Sequence, residues 1–252
     1  MTTNAPWNKF YAKAINPNFR GDSNTLIDNL TDAARDYGDA VALVYEGNEM
    51  TYDDLLTNVI KFASSLKARG VDKGTQVVLG LPNCVEIVIA CYSCMVIGAV
   101  FILMNPAYKE FELQEMFDEL EAEVLISTSD TIARTKGIID ITSSKIRHYI
   151  SINPEQDDDV LSFGALLASG DEHMALSKPG LNDIACIQFT SGTTGKFKAA
   201  ILTQKNLSFD VAATEHSFFD TTKGQEVFVS ACPFFHIFGF QTALNYPIRI
   251  AA

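Results

Sequence analysis

A chain of 252 residues, 47% hydrophobic and 20% charged, is long enough to bury a substantial core and too apolar to stay disordered. Its 31 acidic and 19 basic residues leave a formal net charge of -12, which excludes a broad nucleic-acid surface, because phosphate backbones require a basic footprint. An anion bound here must be held by a focused local cluster.

The first twenty residues show no hydrophobic period, and they lack the charged-then-apolar order of a secretory signal. The spacing predicts a helix over 24–37, a strand over 41–45 and a tight turn at Glu46-Gly47-Asn48. Thr51, with Asp54 three residues on, predicts a capped helix start. Its buried stripe is Leu55, Leu56, Val59, Ile60, Ala63 and Leu66, and Gly70 ends it. Strands are then predicted at 77–81, 100–104, 124–127 and 148–152, alternating with helices at 84–97, 109–121 and 130–140.

One stretch, 87–104, is uncharged and about as long as a minimal membrane span. It reads instead as a helix capped by Asn83 and Glu86, closed by Gly98, running into a strand apolar on both faces. No transmembrane segment is expected. The acidic run Asp157-Asp158-Asp159 and the segment 164–180 read as solvated connections. The last third predicts a strand at 184–189, a Gly/Thr-rich loop, a strand at 198–203 and a helix from its cap Thr203 to residue 217. A buried strand at 227–232 and the aromatic segment 233–240 follow. Strand-helix alternation of this kind implies an α/β fold, an open and mostly parallel sheet with helices on both faces.

Five cysteines, mostly in apolar runs, do not form a disulfide framework and suit a reducing cytoplasm. Cys91-x-x-Cys94 has metal-ligand spacing, but no second pair or nearby His accompanies it, so it reads as core. His148, His173 and His216 have no recognisable partners in sequence.

The informative segment is Phe189-Thr190-Ser191-Gly192-Thr193-Thr194-Gly195-Lys196-Phe197-Lys198. Two glycines allow a tight turn whose amides converge on an anion; the hydroxyls add donors, and Lys196 and Lys198 bring local positive charge. The spacing is not that of a Walker A loop, which needs four residues between its glycines and a Ser or Thr directly after the lysine. A solvated polar hairpin is the bland alternative. The apolar strands on both sides favour a functional loop.

These ten residues resemble the signature of the adenylate-forming superfamily, which includes acyl-CoA synthetases, aryl-CoA ligases, luciferases and peptide-synthetase adenylation domains. Three further segments are similar to family elements and lie in the same order. They are Met50-Thr51-Tyr52-Asp53-Asp54-Leu55, Asn105-Pro106 with Glu112-Leu113, and Pro233-Phe234-Phe235-His236-Ile237-Phe238-Gly239. The last resembles the fatty-acid branch best. An aryl-acid or 4-coumarate-type ligase is the nearest rival, and a non-catalytic nucleotide- or partner-binding product is the alternative from another class.

The resemblance implies a partial large N-terminal domain built from two α/β lobes with mostly parallel sheets. One lobe would span 75–203 and carry the phosphate loop. The other would combine 20–70 with 204–252 and stay incomplete, without the small C-terminal catalytic domain. Thr190, Ser191, Gly192, Thr193, Thr194, Gly195, Lys196 and Lys198 would hold the phosphates of ATP, Thr190 would lie near Mg²⁺, and His236 would stand beside the reacting carboxylate. The implied chemistry is acyl-adenylate formation followed by thioester formation with coenzyme A, on a carboxylic acid of the fatty-acid type. The fragment alone is expected to be inactive. The expected location is cytoplasmic, with peripheral membrane attachment left open.

The family usually has Pro at the position of Phe197 and Gly at that of Ala199, where a Cβ would crowd any left-handed backbone. An unpaired strand edge near 248–252 is expected to invite pairing, as in a homodimer, or aggregation.

Overall fold

The computed structural model describes residues 6, 8–12, 15–16, 18–21, 23–139, 144–190, 197–218 and 220–252, together with the backbone of Trp7 and Ser191. Helix α1 (Leu26–Tyr37) starts at Thr25, whose hydroxyl accepts from the Asp28 amide while the Asp28 carboxylate accepts from the Thr25 amide. A two-stranded hairpin, β1 (Val41–Tyr45) and β2 (Asn48–Thr51), turns through Glu46 and Gly47, both at positive φ. Thr51 then caps α2 (Tyr52–Lys67) by accepting from the Asp54 amide at 3.1 Å, as its spacing predicted.

Seven strands form the main sheet: β3 (Gln76–Gly80), β4 (Val100–Leu103), β5 (Ala122–Ser127), β6 (His148–Ser151), β7 (Val160–Ser162), β8 (Ile184–Ser191) and β9 (Phe197–Thr203). Their order is β7-β6-β5-β3-β4-β8-β9, and every neighbouring pair is parallel except β8 with β9. Between them run α3 (Val85–Ile97), α4 (Glu110–Asp118), α5 (Ser129–Ile138) and α6 (Phe163–Ser169); α7 (Gln204–Ser217) follows β9.

Period-2 alternation assigns the two faces. Val77, Leu79, Phe101 and Leu103 join one buried cluster with α1, α2, α3 and α6. Val78, Val100 and Ile102 join a second with Leu113 and Met116 of α4 and Ile132 of α5. The helices change face where the chain changes direction. The chain moves one way from β3 to β4 and the opposite way from β4 to β5, and crossovers of one hand then place α3 and α4 on opposite sides. Each fully buried aliphatic side chain in these layers contributes roughly 1.5–3 kcal/mol.

The apolar run 87–104 divides into α3 and β4, with Gly98 closing the helix at φ 77°. No helix among the described residues is long and apolar enough to cross a membrane. Cys84, Cys91, Cys94 and Cys186 are buried in this core; burial pushes the Cys84 and Cys94 thiols up to about 12.

Four expectations are corrected. Cys84, not Asn83, is the N-cap of α3, and it makes no side-chain cap bond. Segment 164–180 is not all solvated connection, because Phe163 and Leu166 bury α6 against α2, Phe163 stacking on Phe62 at 4.0 Å. Residues 227–232 form no strand: Val227 and Val229 are 92% and 90% exposed, because no described strand lies alongside to complete the backbone hydrogen bonds. The stretch 248–252 offers no strand edge either. A helical run, α8 (Ile237–Phe240), a π-helical turn Gln241–Asn245 and α9 (Tyr246–Arg249), ends there with Ile248, Ile250 and Ala251 buried.

Candidate functional site

The carboxyl edge of the sheet gathers three connections. β3 leads into Leu81-Pro82-Asn83, β4 into Met104-Asn105-Pro106, and β8 into the loop that returns as β9. Open parallel sheets bind ligands outside this edge, where successive connections diverge, and β3 to β5 diverge here.

At the hairpin mouth Thr190 pairs in register with Lys198 and Ser191 with Phe197. Thr190 and Lys198 are exposed, and the Thr190 hydroxyl donates to the Lys198 carbonyl at 3.4 Å. Gly192, Thr193, Thr194, Gly195 and Lys196 lie outside the described residues. Ala199 continues the strand as one of its extended positions. Among the described residues the non-glycines at positive φ are Glu46 and Ala251, so the Cβ of Ala199 meets none of the crowding expected of it.

The far arm of the hairpin is fixed from α4. The Phe197 amide donates to Glu115 Oε1 at 3.2 Å, and its ring lies 5.4 Å from Tyr108 and 5.9 Å from Phe189. The Asn105-Pro106 turn is closed by Asn105 Oδ1, which accepts from the Ala107 amide. Arg134 on α5 holds it by donating to the carbonyls of Pro106 at 2.9 Å and Tyr108 at 2.6 Å. Glu112 accepts from the Lys109 amide at 2.8 Å and so covers the first turn of α4.

The aromatic-histidine segment reaches the same edge from the other face of the sheet. Gln188, whose side chain alternates with that of Phe189, donates from Nε2 to the Phe235 carbonyl at 3.3 Å; its buried Oε1 has no hydrogen-bond partner. Asn83 clips the approach to this segment. Its Nδ2 donates to the carbonyls of Ser230 (2.9 Å) and Cys232 (3.0 Å), and its Oδ1 accepts from the Phe234 amide (2.7 Å). Pro247 offers no N–H to the Ala243 carbonyl four residues back, and that oxygen accepts from Ser230 Oγ at 2.6 Å.

Gly239 sits where a Cβ would lie 2.2 Å from the Pro233 carbonyl oxygen, so only glycine lets α8 pass under this crossing. His236 is exposed at the start of α8, its ring 4.7 Å from that of Phe235. Behind it a buried network locks the helical run to its neighbours: Tyr92 donates to Asn245, Asn245 to Gln241, and Gln241 to the Leu207 carbonyl of α7.

The predicted residues thus fall into two groups. Thr190 and Lys198 face each other at the hairpin mouth, and His236 belongs to a separate segment tied to β8 through Gln188 and to the end of β3 through Asn83. Sequence reasoning missed the roles of Glu115 and Gln188 and misassigned Asn83. An apolar groove of about 480 Å³ lies beside α8, with Phe238, Phe228 and Phe218 in its wall. No group of His, Cys, Asp or Glu among the described residues could by itself hold a metal ion.

A mostly parallel sheet flanked by helices on both faces, with a hydroxyl- and lysine-bearing hairpin at its carboxyl edge, defines an open α/β class of protein. The family model described as "AMP-binding enzyme" matches residues 30–252, and the chain belongs to that family. A long-chain-fatty-acid–CoA ligase of Bacillus subtilis (strain 168) is 28% identical over 276 residues, covering 99% of this chain and 49% of the relative. A 4-coumarate–CoA ligase-like protein of Oryza sativa subsp. japonica is 29% identical over 226 residues, 86% of this chain and 40% of its own length. The crystal structure of a long-chain-fatty-acid–CoA ligase from Archaeoglobus fulgidus superposes with a TM-score of 0.80 at 23% identity, covering 94% of this chain and 47% of that one. The chain therefore spans about half the length of the curated relatives it matches.

Proposed function

We propose that this chain supplies the ATP-holding half of an acid–thiol ligase that activates a fatty acid as an acyl adenylate and passes it to coenzyme A. The observation that carries the reading is the hairpin mouth. It sets Thr190 opposite Lys198 on a rigid sheet, within a motif whose other residues are Gly, Thr, Ser and Lys apart from Phe189 and Phe197. Backbone and hydroxyl donors with lysine suit the β- and γ-phosphates, and the exposed Thr190 hydroxyl is a hard oxygen of the kind Mg²⁺ prefers. A carboxylate is a poor electrophile until adenylation gives it a leaving group. The work of such a site is positioning and charge stabilisation.

His236, presented at the start of α8 beside the Phe235 ring, would stand by the carboxylate. The resemblance of 233–239 to the fatty-acid branch and the long-chain-fatty-acid–CoA ligase relative favour an alkyl acid; an aryl acid, as in the 4-coumarate–CoA ligase-like relative, is the rival substrate class. Residues 75–203 carry the sheet and its hairpin; in this reading 20–70 with 204–252 belong to a second lobe that shares its buried cluster with the first, α2 packing on α3 and α6. The chain's cysteine usage supports a reducing cytoplasmic setting.

Pyrophosphate release with ATP and Mg²⁺ tests the reading, measured on the 252-residue chain and on the longest product of its gene, with a long-chain fatty acid and with a coumarate as substrates. The longer product should turn over the fatty acid faster, and the chain alone should release none. Faster turnover of the coumarate would favour the rival. No turnover by the longer product with either acid would favour a non-catalytic binding module.

A further inference from the structure

We propose that Glu115 is a positioning residue for the phosphate hairpin; as a contribution to nucleotide affinity, this rests on the reading of the loop given above. Glu115 lies on α4, outside every motif singled out in the sequence, and its Oε1 accepts from the amide of Phe197, the first residue of β9. That bond exists because residue 197 is not proline and has an N–H to give. The same residue is held through its ring by Tyr108 and Phe189, and the Tyr108 carbonyl is held by Arg134. Backbone and side chain of Phe197 are thus both referenced to the α4–α5 layer, which is itself docked through Leu113, Met116 and Ile132. The returning arm of the hairpin, with Lys198 next in line, takes its position from α4 as well as from β8.

Electrostatics alone predicts the opposite effect of removing this group. A carboxylate beside an anion site repels the anion, so deleting it should strengthen polyphosphate binding. A latch predicts weakening, because the arm that presents Lys198 loses its anchor. Glu115→Gln removes the charge and keeps an acceptor; Glu115→Ala removes both.

The test uses the whole 252-residue chain and its two variants, with hydrogen exchange at the Phe197 amide and calorimetric titration with ATP and Mg²⁺. Expected is roughly tenfold faster exchange at Phe197 in Glu115→Ala, from loss of one charge-assisted hydrogen bond, with ATP affinity reduced by about three- to tenfold. Glu115→Gln should stay within about threefold of the unsubstituted chain in both readouts, since a neutral acceptor keeps roughly half the strength of the charge-assisted bond. Unchanged exchange at Phe197 in Glu115→Ala overturns the latch. So does tighter ATP binding by both variants, which would make Glu115 a simple electrostatic neighbour. A drop in thermal stability with ATP affinity unchanged would mark a purely structural contact and also overturn the proposal. If the unsubstituted chain binds no ATP, the loop reading fails by itself, and the exchange comparison still decides whether Glu115 holds the arm.

Discussion

Replacing Asn83 with alanine removes three hydrogen bonds at once, and the size of the effect distinguishes a local contact from a clip. Asn83 Oδ1 accepts from the Phe234 amide at 2.7 Å while Nδ2 donates to the carbonyls of Ser230 and Cys232 at 2.9 and 3.0 Å. Each bond is worth about 1 kcal/mol net. If only the Phe234 contact matters, its amide should exchange roughly fivefold faster; if residues 230–234 release together, about 3 kcal/mol is lost and the factor approaches 150. The alanine variant is expected near the upper value, because 227–232 has no described strand beside it and leans on side-chain anchors. Asn83→Asp, which keeps the acceptor but turns a carboxylate toward two carbonyls, should fall between. Hydrogen exchange resolved at Phe234 is the assay, with the amides of α3 as internal control. Unchanged exchange at Phe234, or an equal acceleration throughout α3, would refute the argument.

Three further outcomes follow from the same geometry. Gly239→Ala places a methyl 2.2 Å from a backbone oxygen that cannot swing aside, and should cost about 1–3 kcal/mol in thermal or urea unfolding; an unchanged midpoint would show that the crossing is loose. Under mildly alkaline conditions a maleimide should modify exposed Cys232 promptly and leave Cys84, Cys91, Cys94 and Cys186 intact until the chain unfolds, because burial raises those thiols. Rapid modification of a second thiol would contradict the packing of α3 and β8. The Asp183 carboxyl is held below its usual 3.8 by the hydrogen bond from Lys73 and by the Gly180 amide. Its contribution to stability is therefore present above that value and fades as pH falls through the lowered folded value. Asp183→Asn should melt below the parent chain at neutral pH, and the gap should close in strong acid; a gap independent of pH would remove the charge from the explanation.

Local chemistry was readable where its consequence is also local. Thr51 and Thr203 announce their helices because a hydroxyl three residues before an amide can satisfy it wherever the helix lies. The run 87–104 was separable because Gly98 supplies the left-handed exit a helix needs before a buried strand. Residues 227–232 misled for the opposite reason: a strand is a relation between two segments, and alternation of Val and Phe specifies only one of them. Asn83 looked like a cap because its sequence neighbours are the start of a helix, whereas its partners lie nearly 150 positions away. Glu115 gave no signal, since a carboxylate on a helix reads as a solvated face until the returning strand brings an amide to it. The motif residues of the hairpin were legible as chemistry; the contacts that aim them were not.

The central claim is that polyphosphate is held at the mouth between β8 and β9. Amide chemical-shift mapping during titration with ATP and Mg²⁺ tests it most directly. The account predicts the largest shifts at Thr190, Ser191 and Lys198, smaller ones at Phe197 and Glu115, and none at β7 on the far edge of the sheet. Saturable binding whose shifts avoid the hairpin and cluster elsewhere would contradict it.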